Sequence, residues 1–308
     1  MAGPILDTDR GVVSELWRYP VKSLRGERLD HAILTATGIQ GDRLWMLVDA
    51  SGDMVTQRTT PVLASIEARW ISGRIVLEYP GMDPLLLLPP AGDAPVVNTA
   101  VWGSAMPLCD ASDAAASWIS AVVGQPLRMV HMPRGVVRRV NPRFDPFGDT
   151  QVGLADGYPI TIVSTASVQA LAEVAGVAIT PDRFRANIVV DGFEPWDEDT
   201  WQTLIVGCWK ITVTKPCERC SVPGVDQQTG RKTPGVLKAL HALRGQAGGA
   251  PLFGINAVAR LIDGPDDRRG NPGSRDGQGD QDTSSGQKAN LRPAGIDVGD
   301  TMTVLVRS

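Results

Sequence analysis

The sequence predicts an α+β fold that is mostly β, and three observations lead to this class. Short runs rich in β-branched and aromatic residues recur along the chain, separated by clusters of glycine, aspartate and proline, as strands joined by turns would be. Only a few segments combine a helical pattern with start and stop residues. With 308 residues, 43% of them hydrophobic and 21% charged, the chain has the length and composition of a globular protein of one or two domains.

Composition and motifs exclude several classes of function. A formal net charge of −4 argues against a general nucleic-acid binder, and the densest apolar run, PLLLLPP, is too short to span a bilayer. The N-terminus lacks the pattern of a secretory signal, and the four cysteines are therefore expected to be free thiols in a reducing compartment. The sequence also lacks the glycine-rich and G-x-S-x-G motifs of common nucleotide and hydrolase sites. We expect a cytoplasmic protein that binds neither nucleic acid nor membrane.

The elements divide the chain into two parts. The first part reads as strands, with a hairpin at VDASGDMVT and a helix from Asp113 that glycine ends at Gly124. The second part contains the buried strand YPITIVS, a helix capped by Ser164 or Thr165, and a helix in TPGVLKALHALRG with a proline in its first turn. Further strands are predicted in RFRANIVVDG, QTLIVGCWKITVTKPC and DTMTVLVRS.

Three connecting segments have a distinctive composition. The basic, proline-containing stretch RMVHMPRGVVRRVNPRFDPFGDT suggests a seam between domains at 10–128 and 129–308. The segment 264–293 holds almost no apolar residues, and it is predicted to be a disordered insertion. PWDEDTW is predicted to be an acidic surface loop.

Cys217 and Cys220 form a C-x-x-C, and the residues alone leave several interpretations open. A structural zinc site normally needs four Cys or His ligands, and no second C-x-x-C is present. A thioredoxin-like pair needs a following helix, whereas SVPGVDQQTG is typical of a turn and hairpin. Two small core residues at a strand end are the plainest alternative.

The chain resembles the MOSC family, and within it the mitochondrial amidoxime-reducing components and their bacterial relatives. ELWRYPVKSLRGERL followed by GIQGDRLWMLVD is similar to that family's N-terminal β-barrel domain. DRFRANIVVDG, PWDEDTWQTLIVG, TKPCERCSVPGVDQQTG, PLFGINAVARLIDG and VGDTMTVL are similar, in order, to the MOSC domain. The resemblance implies an N-terminal β-barrel-like domain followed by a MOSC-type β-barrel domain with a few helices.

The resemblance also implies which residues hold a molybdenum cofactor, a metal carried by an anionic pterin with a phosphate group. The position of Cys220 matches the thiolate that ligates molybdenum, which makes it the expected catalytic residue, whereas Cys217 matches a cysteine that is not a ligand. Arg219 is expected to favour the deprotonated sulfur. The remaining residues expected at the cofactor are Lys22, Ser23, Arg43, Arg185 and Asn187, and Ser164 and Thr165 at a helix N-terminus.

The activity implied is the reduction of N-hydroxylated compounds such as amidoximes, hydroxylamines and N-hydroxylated bases. Because the chain ends without a fused ferredoxin, electrons are expected from a separate ferredoxin, flavoprotein or cytochrome, and Arg134, Arg138 and Arg139 are its expected docking residues. The alternative is a carrier of the cofactor, plain or sulfurated, without turnover. The family association also extends to pyridoxal phosphate binding, although no desulfurase domain is visible, which argues against a complete cofactor sulfurase.

Overall fold

The structure, a computed structural model, describes residues 9–262 and 295–307. The predicted insertion at 264–293 lies outside these residues. The helices are α1 (Asp113–Val123), α2 (Thr165–Ala175) and α3 (Pro234–Arg244). The strands are β1 (Arg10–Arg18), β2 (Glu27–Leu29), β3 (His31–Thr35), β4 (Gly38–Ile39), β5 (Trp45–Val48), β6 (Met54–Val55), β7 (Glu67–Ile71), β8 (Arg74–Glu78), β9 (Leu85–Leu87), β10 (Val96–Val101), β11 (Ser104–Asp110), β12 (Arg128–His131), β13 (Ile160–Ser164), β14 (Ile188–Asp191), β15 (Trp201–Val206), β16 (Trp209–Glu218), β17 (Leu252–Leu261), β18 (Gly295–Asp297) and β19 (Thr301–Arg307). In the part of the chain described, no helix combines the length and apolar character needed to cross a membrane.

Seven strands close into a barrel. They follow the order β14-β13-β17-β16-β15-β19-β1, and β1 pairs back onto β14, while β2 extends the sheet beyond β1. Inward-facing residues along each strand are apolar, and Leu16, Ile188, Leu204 and Ile255 belong to one buried cluster. Closure pairs both edges of the sheet, so no long strand edge of the barrel is left open.

A second, smaller β unit packs beside the barrel. It contains the five-stranded sheet β10-β11-β12-β5-β6 and the three-stranded sheet β7-β8-β9. The strand β12 pairs along its whole length with β5, from Arg128 opposite Val48 to His131 opposite Trp45. The expected domain boundary at 128/129 falls inside this strand, whose pairing places it with the N-terminal sheets. The first strand of the chain, by contrast, is part of the barrel.

The predicted helices and the hairpin are confirmed, although the Ser164 side chain makes no capping hydrogen bond at the start of α2. Helix α1 begins after Ser112, whose side chain accepts a hydrogen bond from the Ala115 N–H, and it ends at Gly124 in the left-handed conformation. Helix α2 follows Ser164 and ends at Gly176 with a φ of 66°. The hairpin β5–β6 turns through residues 49–53, where the Asp49 carboxylate accepts two backbone N–H groups.

The barrel and the smaller unit share the connection that follows β1. Its residues make backbone hydrogen bonds with the segment before β5, from Lys22 N–H to the Trp45 carbonyl at 2.7 Å and from Arg43 N–H to the Tyr19 carbonyl at 2.8 Å. The ends of β1 and β16 and the loops before β5 and β13 therefore converge on one place, and the candidate site lies there.

Candidate functional site

A cavity of about 450 Å³ lies where these strand ends and loops meet. Eight separate segments of the chain line it, and they contribute Lys22, Arg43, Arg58, Asp156 and Cys220 among others. Residues far apart in sequence thus form one wall. Five of the expected site residues besides Cys220 line the cavity: Lys22, Ser23, Arg43, Arg185 and Arg219.

Cys220 lies just beyond the end of β16 and is exposed at the cavity, whereas Cys217 is half-buried within the strand. The four cysteines are free thiols. Burial raises the pKa of the Cys217 thiol, which makes it the less reactive member of the pair. Residues 222–224 form one short 3-10 turn, and then Val225 bridges Lys232, so the turn-and-hairpin prediction is confirmed. The pair therefore offers one accessible sulfur.

Arg219, which precedes Cys220 in the chain, is buried and lines the cavity, and one of its donors is unused within the described ranges. Its Nε donates to the Phe253 carbonyl at 2.8 Å and its Nη1 to the Phe184 carbonyl at 2.9 Å. Its Nη2 is buried with no hydrogen-bond partner among the described residues. A buried guanidinium N–H without an acceptor is costly, and a bound anion in the adjoining cavity would satisfy it.

Arg43 and Arg185 both lie over the ring of Tyr19. Their guanidinium carbons are 4.5 Å and 4.2 Å from the ring centre, a spacing at which a cation is attracted to an aromatic face. Burial, and then the neighbouring Arg43, lower the pKa of Arg185 to about 10. Like Ser23, the two arginines adopt positive φ angles, so three cavity residues hold a backbone conformation that side chains rarely take. Such strain is common at binding sites.

Asn187 supports this arrangement from behind and does not line the cavity. Its Oδ1 accepts a hydrogen bond from Arg43 Nη1 at 2.9 Å and another from the Thr161 N–H at 3.2 Å. Its Nδ2 donates to the Trp17 carbonyl at 3.2 Å. Asn187 therefore fixes the orientation of Arg43.

Asp156 also lines the cavity and is the centre of a polar network. It accepts hydrogen bonds from Lys22 Nζ, from Arg58 Nη2 at 3.0 Å and from the Trp102 indole at 3.0 Å. Although burial alone would raise it, the pKa of Asp156 is lowered strongly by Lys22 and then by the other donors. Burial lowers the pKa of Lys22 to about 8, against the opposing influence of Asp156.

Sequence reasoning missed Arg58 and Asp156. Arg58 and Cys220 both line the cavity. Burial lowers the pKa of Arg58, but its interactions with Cys220 and Asp156 outweigh that cause and raise it. Arg58 follows the second strand of the predicted hairpin, and Asp156 stands in an Asp-Gly pair just before β13. A charged residue placed directly beside a predicted strand was the available signal for both.

The cavity has a strong excess of positive charge. Seven basic residues line it against two acidic ones among the described residues, although the whole protein has a net charge of −4. Together with the unpartnered Nη2 of Arg219 and the exposed Cys220 thiol, this donor set fits a group that carries several negative charges and a thiophilic metal.

The start of α2 lies outside the cavity, and so do Ser164 and Thr165. The Thr165 hydroxyl donates to the Asp191 carboxylate at 2.7 Å, and the buried Ser164 hydroxyl has no partner among the described residues. Ser167 in the first turn of α2 donates to Glu198 at 2.8 Å. The prediction that Glu198 belongs to a surface loop was wrong, because its carboxylate is fully buried against the first turn of α2.

The docking role expected for Arg138 was also wrong. Its guanidinium is buried and donates to three carbonyls of the loop that carries Asp156, those of Gly153, Ala155 and Asp156, at 3.0, 2.5 and 2.6 Å. Arg138 therefore braces this loop, whereas Arg134 and Arg139 are exposed.

Two domain families match the chain, one in each half. The family described as MOSC N-terminal beta barrel domain matches residues 10–126, and the family described as MOSC domain matches residues 149–303.

Curated relatives agree with this match. Mitochondrial amidoxime reducing component 2 of Bos taurus is 32% identical, over 80% of this chain and 78% of its own length. Mitochondrial amidoxime-reducing component 1 of Homo sapiens is 33% identical, over 79% and 77%. A molybdenum cofactor sulfurase of Drosophila mojavensis is 32% identical, over 81% of this chain but only 32% of its own length.

Proposed function

Because the chain belongs to the MOSC family, with an N-terminal MOSC β-barrel domain and a MOSC domain, we propose that it is a molybdenum-cofactor-dependent reductase of N-hydroxylated compounds. A function related to the molybdenum cofactor follows from the family and from its named relatives. We propose in addition that the protein is a reductase, and we propose its substrates and its electron donor.

The observation that carries the proposal is the accessible Cys220 sulfur at the wall of a cavity lined by seven basic residues. In this proposal Cys220 is the protein ligand of the metal. Lys22, Arg185 and Arg219 neutralise and orient the anionic parts of the cofactor, with Ser23 as a further hydroxyl donor. Arg58 keeps a positive charge beside the sulfur.

When bound, the cofactor supplies two-electron chemistry, in which an N–OH group takes up two electrons and two protons and yields N–H and water. The protein's own residues hold the reactants. Lys22 Nζ carries a proton below a pKa of about 8 and shares it with Asp156, within the same network as Arg58. Arg43 donates to Asn187 and to the Arg185 carbonyl, so the fold positions these residues before an anion binds.

The electrons come, in this proposal, from a separate ferredoxin, flavoprotein or cytochrome. The exposed Arg134 and Arg139 are the residues proposed to attract it, since weak redox encounters rely on charge steering. Cytoplasmic residence is also part of the proposal, and the relatives named as amidoxime-reducing components are called mitochondrial.

A cofactor carrier without turnover is the second candidate. The likeness to molybdenum cofactor sulfurase favours it, because the matched third of that protein is similar to 81% of this chain. The same cavity would serve both functions, so the two differ only in whether a substrate is turned over.

Two measurements separate these candidates. The protein is expressed in a host that makes the cofactor, and its molybdenum is measured by mass spectrometry together with pterin fluorescence after oxidation. Reduction of benzamidoxime to benzamidine is then followed with an artificial electron donor. Near-stoichiometric molybdenum with turnover supports the reductase, and molybdenum without turnover of any amidoxime supports the carrier. Absence of molybdenum from protein made in this host contradicts both.

A further inference from the structure

A second hollow of about 680 Å³ adjoins the candidate cofactor cavity. The two share part of their walls, including Trp102, Asp156 and Tyr158. Beyond these, the outer hollow is lined by Val137, Pro142 and Phe144 and by the polar Arg139 and Asn141, so aromatic and apolar surface alternates there with polar surface. A compound in the outer hollow would therefore lie beside the cavity without occupying it.

Trp102 lines both hollows, and two polar side chains contact it there. Its indole N–H donates to Asp156 at 3.0 Å, and the Arg58 guanidinium lies 4.3 Å from its ring centre. More than half of its surface, 56%, is nevertheless exposed. Asp156 and Arg58 thus fix the position of a large apolar ring that still presents area to solvent, an arrangement suited to stacking on a planar ligand.

Phe144 provides a second aromatic surface in this hollow. It follows Pro142 in a short 3-10 turn and is half-buried, and the Lys215 ammonium lies 5.2 Å from its ring centre. Tyr158, which lines both hollows, adds a third ring. The aromatic lining is continuous with the network that reaches Cys220 through Asp156 and Arg58.

The backbone at Trp102 is unusual, and the molecule contains a matching turn elsewhere. Trp102 and Gly103 join β10 to β11 with φ angles of 51° and 81°. Ser72 and Gly73 join β7 to β8 with φ angles of 50° and 86°. Serine therefore suffices for this turn, and the tryptophan is not required by the backbone.

We propose that the outer hollow, called here the Trp102 groove, binds the planar aromatic part of the N-hydroxylated substrate, and that Trp102 is the residue that selects aromatic over aliphatic compounds. This inference rests on the proposed reductase function and adds the substrate class to it. The groove shares Trp102, Asp156 and Tyr158 with the cavity, so a ring against Trp102 lies next to the cavity that Cys220 lines.

The test compares two amidoximes, benzamidoxime and acetamidoxime, with the cofactor-loaded enzyme and an artificial electron donor. In the wild type, kcat/KM favours benzamidoxime. Trp102→Ser, which copies the residue of the matching turn, lowers the ratio of benzamidoxime to acetamidoxime kcat/KM about tenfold, as expected for loss of an aromatic contact. Trp102→Phe keeps most of the preference. Any effect of these variants on cofactor content cancels in the ratio.

The control is Ser72→Ala, which changes the same turn position at a site away from both hollows and leaves the ratio unchanged. An unaltered ratio in Trp102→Ser overturns the inference. Binding is measured independently by saturation-transfer NMR with the product analogue benzamidine, which should bind wild type more tightly than Trp102→Ser. If no amidoxime is reduced but this difference in binding is found, the reductase proposal fails and the groove stands. If amidoximes are reduced but wild type and Trp102→Ser bind benzamidine equally, the groove inference is wrong and the reductase proposal stands.

Discussion

The Cys220 end of the cavity and the start of α2 both present hydrogen-bond donors, but the two regions differ in the source of the negative charge that accepts from these donors. At the cavity, Arg219 retains a buried N–H without a partner in the described part of the chain, and basic residues outnumber acidic ones. At α2, the protein's own carboxylates accept from two hydroxyls, since Glu198 accepts from Ser167 and Asp191 from Thr165, and only the Ser164 hydroxyl has no partner among the described residues. An anion-binding site therefore needs donors that the fold itself has left unmatched.

Each of the two regions destabilises the folded protein in its own way. Burying several cations together destabilises the cavity until an anion arrives, as the lowered pKa values of Lys22 and Arg185 indicate. Burying Glu198 raises its pKa to about 7, since desolvation exceeds the help from the Ser167 hydroxyl and the Ser164 backbone. A bound anion relieves the cost of burying the cavity cations, whereas no ligand relieves the cost of burying Glu198.

The largest expected effect is at Cys220. Cys220→Ser should fold normally, because the residue is exposed, but replacing a soft thiolate by a hydroxyl should lower molybdenum content and benzamidoxime turnover by about a hundredfold or more. Cys217→Ser is the matched control and should retain most of both. Molybdenum and activity are measured on the same preparations. Full activity in Cys220→Ser would refute the ligand assignment.

A smaller effect is expected when one cation of the cavity is removed. Arg58→Gln removes the positive charge beside Cys220 and one donor to Asp156, so the apparent affinity for the cofactor should fall about tenfold. Arg134→Gln removes an exposed charge of the same kind outside the cavity and serves as the control. Molybdenum retained after dialysis reports the result. Equal retention in the two variants would show that the cavity charge does not hold the cofactor.

The α2 region should show a pH dependence that has nothing to do with the cofactor. Because the folded state holds the Glu198 proton up to a pKa of about 7, while the unfolded chain loses it near 4.5, stability falls as pH rises between these values. A shift of this size corresponds to at most about 3 kcal/mol. Glu198→Gln should remove the decline, whereas Glu194→Gln, an exposed neighbour, should keep it.

Urea unfolding at pH 5 and pH 8 measures this difference. The prediction fails if wild type and Glu198→Gln lose the same free energy of unfolding over that interval.

The smallest effects are expected at Ser164 and Thr165. Ser164→Ala removes a buried hydroxyl that has no partner among the described residues, so stability should be unchanged or slightly higher. Thr165→Ala removes one hydrogen bond to Asp191 and should cost about 1 kcal/mol. Molybdenum content should stay within twofold of wild type in both. A loss comparable to that of Arg58→Gln would restore these hydroxyls as cofactor ligands and erase the contrast between the regions.

Local patterns in the sequence were enough for the helices, for most strands and for part of the site. Caps at Ser112, Gly124 and Gly176 act within a few residues, so their effect is readable without the fold. The family resemblance then led to Lys22, Arg43, Arg185 and Cys220, and the structure brings these residues to one cavity.

Other features depend on contacts between distant segments. In the sequence, Arg138 looks like any surface arginine, because the three carbonyls that it contacts belong to the loop 153–156. Glu198 stood in an acidic run between tryptophans, and its burial follows from how that run packs on α2. Asp156 and Arg58 have no motif of their own and meet across 98 positions of sequence.

What residue order determined about this protein is therefore its mostly β character and its helix ends, because propensity and capping are properties of short segments. Tertiary structure decided which charges face the cavity and which are cancelled internally. The reason is that burial and pairing depend on the closure of β1 onto β14 and on the packing of the smaller sheets beside it. The charge left unmatched after folding marks the site.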